Sequence, residues 1–155
     1  MTDQNETGQR VLQPSSWVHP RGYANGIVAE GETIFLAGQV GWDANGHFVD
    51  GLVDQVGQAL TNIVILLAEA GAAPRHLVRL TWYLTDLRAY CDNQTAIGAV
   101  YRGIIGKHFP AMSAIGVTQL VDPAALVEIE ATAVLPPQHV QGAALGKPGT
   151  WHNGA

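Results

Sequence analysis

The chain has one cysteine, Cys91, in 155 residues, which excludes an intrachain disulfide and a thiolate-rich zinc site within one chain. It has no lysine-arginine block: eight basic residues stand against 13 acidic ones, giving a formal charge of -5. That balance argues against nucleic acid or an anionic membrane surface as the main partner, because both demand concentrated positive charge. The histidines at 19, 47, 76, 108, 139 and 152 are scattered without a metal-ligand spacing, so no metal site is expected. Polar residues interrupt the longest apolar helical stretch, which argues against a membrane span. The opening MTDQNETGQR has neither the basic flank nor the hydrophobic run of a secretion signal. The glycine-bearing stretch GQVGWDANGHF at 38–48 contains no phosphate-loop or dinucleotide fingerprint, and structural turns are its simplest reading. These absences suit a soluble, cytoplasmic protein.

What is present reads as a single domain over 17–136. A polar, weakly patterned N-terminal arm at 1–16 precedes it, and a proline- and glycine-bearing tail at 137–155 follows. Trp151 in that tail is a candidate for docking onto a partner chain. Tyr23–Val28 and Thr33–Ala37 read as strands flanking Ala29-Glu30-Gly31-Glu32, a plausible hairpin connection. Between Leu52 and Ala70, apolar residues at 52, 53, 56, 60, 63, 64 and 67 form a helical stripe able to cover a sheet. Asp50 or Asp54 favours its start and Gly71 its end. VRLTWYL at 78–84 alternates strictly and is the clearest strand. Asp86 and Asp92-Asn93 offer helix starts before a second stripe at Ile97, Val100, Tyr101, Ile104 and Ile105, which Gly106 and Pro110 bring to an end. Ala114–Thr118 and Leu126–Val134 read as extended. The order predicts an α+β fold, two helices on one face of a mainly antiparallel sheet. The other face, particularly if Trp82 lies there, would be left for another subunit.

Five segments in this order carry a resemblance: LAGQVG at 36–41, AEAGAAP at 68–74, VRLTWYLTDL at 78–87, HFPAMSAIGV at 108–117 and VEIEATAV at 127–134. Over roughly Pro20 to Pro136 the chain resembles the Rid family, also called YjgF/YER057c/UK114. The resemblance implies a chorismate-mutase-like fold and a homotrimer with small-molecule clefts between neighbouring chains. It also implies, for archetypal members, hydrolysis of reactive enamines or imines to ammonia and a keto acid without metal or organic cofactor. Some members lack that activity.

Carried onto this chain, the resemblance matches Tyr23 to an aromatic position near the cleft and Gly38 to the glycine that presents backbone beside it. Asn93 matches a polar position on the next subunit's side, and Glu128 the carboxylate associated with water or proton transfer. Met112 stands where archetypal deaminases carry an arginine in Pro-Ala-Arg-Ser. Arginine offers a charged donor fork suited to a carboxylate, whereas methionine is a flexible apolar surface. The expectation is therefore a divergent Rid-type enzyme acting on an imine, enamine or related small metabolite, but not the standard amino-acid enamine deaminase. The alternative is a noncatalytic trimeric binding or chaperone-like protein.

The same residues have plainer readings. Tyr23 suits sheet or interface packing as well as ligand stacking. Asn93 suits a helix cap, Met112 an apolar pocket or a core gap, and Glu128 a solvent-facing strand position. Trp42, after the glycines, is a candidate wall for an aromatic pocket. Glu130 is the weaker alternative to Glu128. Ser113 and Cys91 have no activating base in sequence.

Overall fold

The computed structural model describes residues 6–137. Six strands and three helices follow in order: β1 Gln9–Val11, β2 Ile27–Ala29, β3 Glu32–Val40, α1 Leu52–Glu69, β4 Leu77–Leu84, α2 Leu87–Asp92, α3 Gln94–Ile104, β5 Ala111–Gly116 and β6 Val127–Leu135. A short 3-10 turn, Pro74–His76, leads into β4. The principal sheet runs β3-β6-β4-β5, antiparallel except for the parallel β4–β5 pair, while β1 and β2 form a separate antiparallel ribbon.

The long helix forms where the apolar stripe predicts it. Val56, Leu60, Ile63 and Leu67 are fully buried against the sheet, and burial of each such side chain contributes roughly 1.5–3 kcal/mol. Although α1 is apolar and long enough to cross a membrane by composition alone, this stripe is used in the protein's own core. Its end is a Schellman motif. The Gly71 amide donates to Ala68 O and the Ala72 amide to Leu67 O, at 3.0 and 2.8 Å, which the left-handed Gly71 backbone (φ 69°) permits.

On β6, Val127, Ile129, Ala131 and Ala133 point into the core, and Leu80, Trp82 and Leu84 of β4 do the same. Strand alternation then places Glu128, Glu130 and Thr132 with Tyr83 on the face away from the helices. Phe35 of β3, 79% exposed, faces the same way opposite Thr132.

Several expectations are corrected. The N-terminal segment is not wholly loose, because Gln9–Val11 pairs with Ile27–Ala29. Tyr23–Val28 is a strand only from Ile27, and the expected hairpin across 29–32 does not form. β3 instead takes β6, whose paired residues lie 88 to 103 positions away (Val40–Glu128 to Glu32–Leu135), as its antiparallel partner, a long-range pairing that local turn signals cannot reveal. Trp82 lies on the helix face, 3% exposed, beside Tyr90 and Tyr101. The second helix is divided at Asn93: Asp86 Oδ1 caps α2 by accepting the Ala89 amide at 2.9 Å, but the Asn93 side chain does not cap α3 as expected and instead donates to Ala89 O at the end of α2. β5 begins at Ala111, earlier than expected. Trp151 and nearly all of the tail lie outside the described residues.

Candidate active site

The centre of the open sheet face is shaped by an irregularity in β3. Leu36 pairs with Ala131 and Gln39 with Ile129, so Ala37 and Gly38 together span the stretch opposite Glu130. The extra residue makes a bulge, a device that re-aims neighbouring side chains. Gly38 is required here by close approach. A Cβ at this position would sit 2.0 Å from Glu128 Oε1 and 2.6 Å from both its Cδ and Cγ. The Glu128 side chain therefore lies directly across the Gly38 backbone, in the space any larger residue would fill.

Glu128 is half-buried and makes no side-chain hydrogen bond among the described residues. Its oxygens are available to accept from water or a substrate. The neighbouring carboxylate is engaged differently: Tyr83, paired with Glu128 across the β4–β6 ladder, donates its hydroxyl to Glu130 Oε2 at 3.0 Å. That bond holds the Tyr83 phenol above its ordinary pKa. Desolvation and the negative charges of Glu130 and Glu128 add to the effect, and Arg79 opposes it. The two carboxylates, two residues apart on one strand, thus have different surroundings, which is how neighbouring acids come to hold different roles.

The other candidates lie elsewhere on the chain. Tyr23 lines a groove between β1 and the Lys107–Phe109 turn. Ala24, next to it, is fastened to the start of β5 by a bridge to Ala111 and by its amide to Pro110 O at 2.9 Å. Trp42 lies at a separate hollow with Gln39, Gln58, Asn62 and Ile65, its ring tilted against Phe48 at 5.9 Å. The two hollows share no lining residue. Asn93 acts within the helix pair, its Nδ2 donating to Ala89 O at 2.8 Å. Met112 pairs with Leu80 on β4 and packs, partly buried, against the hydrophobic core. Within one chain, then, only Gly38 and Glu128 of the candidate set are brought into direct apposition.

The comparisons with known proteins agree with this architecture. The family model described as Endoribonuclease L-PSP matches residues 18–135. A Rid-family protein of unknown function from Yersinia pestis, YyfB, is 38% identical and has a similar structure, with a TM-score of 0.74 over 83% of this chain and 99% of that one. The chain belongs to the Rid (YjgF/YER057c/UK114) family. Among Rid structures, Rv2704 of Mycobacterium tuberculosis is 33% identical, with a TM-score of 0.56 over 74% of this chain and 87% of its own. A goat (Capra hircus) relative named 2-iminobutanoate/2-iminopropanoate deaminase is 36% identical over 117 residues, which is 74% of this chain and 81% of the relative. Imine processing is thus supported at the level of the Rid family, and the fold is the α+β, chorismate-mutase-like one expected.

Two features of this Rid chain are weakly marked in sequence. Gln55 interrupts the apolar stripe of α1 yet is 3% exposed. Its Nε2 donates to Val49 O and Ala124 O at 3.2 and 2.9 Å, and its Oε1 accepts the Leu126 amide at 2.8 Å, tying two loops to the helix. The Tyr83–Glu130 pair is the other. Its signal is the parity of 83 on β4 with 128 and 130 on β6, which becomes informative only once the register is known.

Proposed function

We propose that this protein hydrolyses a small imine, or the enamine tautomer of one, at the Glu128–Gly38 apposition, and that the substrate is not held by an arginine–carboxylate clamp at position 112. In this reading Glu128 accepts a proton from water as the water oxygen bonds to the C=N carbon. The resulting carbinolamine collapses to a carbonyl, and the nitrogen leaves as ammonia after taking up the proton. Backbone groups beside Gly38 orient the reacting carbon, where no Cβ obstructs approach. The observation that carries this reading is the Glu128 carboxylate lying across a glycine with no hydrogen bond of its own among the described residues. The imine deaminase names of relatives such as the goat protein support the reaction class.

The proposal includes assembly as a homotrimer, which would cover the exposed Phe35 and Ile115 of the open face and would bring Tyr23 and Asn93 of one chain toward Glu128 of another. Met112 supports the departure from the usual substrate: a thioether packed on the core offers no positive charge to a carboxylate. RNA cleavage is not part of this reading, because a chain of net charge -5 has little general attraction for a polyanion.

The test uses imines generated in situ from ammonia and a panel of ketones and 2-keto acids, following carbonyl and ammonia release. Acceleration is expected with imines lacking a carboxylate. Glu128→Gln should reduce turnover by about a hundredfold or more, as loss of a general base does, while leaving the native mass unchanged. Rapid hydrolysis of 2-imino acids alone, or full activity in Glu128→Gln, would defeat the proposal. Ligand binding without turnover would instead favour a noncatalytic binding protein, the second reading that the apolar Met112 leaves open.

A further inference from the structure

The stretch that supplies Gly38 continues into Trp42, and the hollow beside that ring has a one-sided polarity. It measures about 540 Å³, within the roughly 300–1,000 Å³ range of small-molecule sites. Trp42 and Ile65, 42% and 56% exposed, supply apolar wall. Gln39, Gln58 and Asp43 supply polar groups, and among the described residues no lysine, arginine or histidine lines the hollow.

The orientation of each amide side chain is set by backbone carbonyls, which can only accept. Asn62 Nδ2 donates to Val40 O and Trp42 O at 3.2 and 2.9 Å, so its Oδ1 is the atom that receives Gln58 Nε2 at 2.9 Å. Gln39 Nε2 likewise donates to Ala37 O at 3.1 Å. Both glutamines therefore keep an Oε1 without a partner among the described residues. In Asp43, Oδ1 accepts the Asn45 and His47 amides at 2.8 and 2.9 Å, and these bonds, the His47 amide first, hold the carboxyl below its usual pKa. Its Oδ2 lies 3.8 Å from Nδ1 of the exposed His47 ring, beyond hydrogen-bond length. The bridge between Trp42 and Phe48 and the Asn62 bonds fasten this loop to α1. A fixed hollow that offers two amide oxygens, a carboxylate and an indole suits a positively charged group that carries N–H donors.

We propose that this hollow binds a small organic ammonium ion, with its charge over the Trp42 ring and its N–H groups directed to Gln39, Gln58 and Asp43. Ile65 receives the apolar stem. The site uses none of Glu128, Gly38, Tyr23 and Asn93, to which the hydrolysis is assigned, so either claim can fail without the other. Because Asp43 and Trp42 are both partly open to solvent, affinity should fall as salt is raised.

The experiment titrates the full chain with butylammonium, butyltrimethylammonium, butanol and butyrate at about pH 8, where an ordinary histidine is neutral, and follows indole and side-chain amide signals in 1H–15N spectra. Butylammonium is expected to move the Trp42 indole and the Gln39 and Gln58 amide signals. It should bind more tightly than butyltrimethylammonium, which has the charge without N–H donors, and more tightly than butanol or butyrate. Trp42→Leu and Asp43→Asn should each weaken butylammonium about two- to fivefold, the scale of an exposed cation–π contact or charge pair. Asparagine at 43 can still accept the two backbone amides, and Trp42→Phe, which keeps a ring against Phe48, reads the same contact if leucine disturbs the fold. Asp54→Asn, an exposed carboxylate outside the hollow, should leave affinity unchanged. Equal binding of butanol or butyrate would overturn the role of charge, and equal or tighter binding of butyltrimethylammonium would overturn the role of the amide oxygens. An unmoved Trp42 indole, or equal losses in Asp54→Asn, would overturn the site itself.

Discussion

Replacing Gly38 with alanine adds one carbon, and the geometry states what that carbon meets. Its position lies 2.0 Å from Glu128 Oε1 and 2.6 Å from Cδ and Cγ, well inside the roughly 3.5–4.0 Å of favourable nonbonded contact. Moving the carboxylate tip alone does not suffice, because Cγ is also too close; the whole Glu128 side chain must leave its rotamer. Overpacking of this kind costs about 1–3 kcal/mol. Against it stands a gain of about 0.4–1 kcal/mol from restricting the unfolded chain, so Gly38→Ala should be destabilising by about 0–2.6 kcal/mol in urea denaturation. Turnover should suffer more than stability, since the displaced group is the proposed base. The decisive measurement is a double-mutant cycle. In a Glu128→Ala background all three clashing atoms are gone, so Gly38→Ala should there be neutral or stabilising, with a coupling energy of about 1–3 kcal/mol. An equal cost of Gly38→Ala in both backgrounds would show that Glu128 does not set the glycine requirement.

Gln55→Leu should destabilise by about 2–5 kcal/mol, because the Leu126 amide and the Val49 and Ala124 carbonyls lose their side-chain partner; a denaturation midpoint equal to that of the original chain would refute the linchpin role. Ile63→Ala, at a fully buried position of α1, should cost about 2–5 kcal/mol by the same measurement. Absorbance titration near 295 nm should find a late-ionising tyrosine that moves toward its ordinary pKa of 10.0 in Glu130→Gln, since the hydrogen bond to Glu130 is the main cause of its elevation. With the folded pKa above the unfolded one, whatever stability Tyr83 contributes is complete below pH 10.0 and is lost as pH rises through the folded value. His76 works in the opposite direction: burial, followed by Arg75 and His108, lowers its pKa below 6.5, and its Nδ1 accepts the Ala73 amide at 2.9 Å. Its contribution is present above pH 6.5 and lost as pH falls through the lower folded value, so His76→Gln should flatten the stability profile below pH 6.5. An unchanged profile would refute that assignment.

How much could be read in advance depended on whether the information was local. The stripe of α1, the alternation of β4 and the helix start at Asp86 are short-range patterns, and the structure follows them. β1 was not legible because Gln-Arg-Val carries no alternating signal and forms only against Ile27–Ala29. The face occupied by Trp82 was ambiguous because VRLTWYL is apolar at every second position but has large residues on both parities; burial of Leu80, Trp82 and Leu84 on the helix side resolves it. The same holds at the candidate site. Glu128 and Gly38 were nominated by resemblance, yet the reason one needs the other is a bulge between strands distant in sequence. The roles of Gln55 and Glu130 rest on partners 71 and 47 residues away.

The register also bears on what position 112 can do. In the parallel β4–β5 pair, Met112 stands beside Leu80 and Ser113 beside Thr81, so Met112 shares the helix-side parity of the core while Glu128 belongs to the opposite parity. A charged group at 112 would have to run its stem along apolar neighbours to carry its head to water, which a long arginine side chain can do and a short cation cannot. Methionine meets no such demand, because its whole length gains from the same surroundings. Methionine at 112 is thus satisfied within the core, where an arginine would have to reach out of it. The polar groups that strand parity places on the open face are Glu128, Glu130 and Tyr83, beside the bare backbone of Gly38, and the proposed chemistry rests on them.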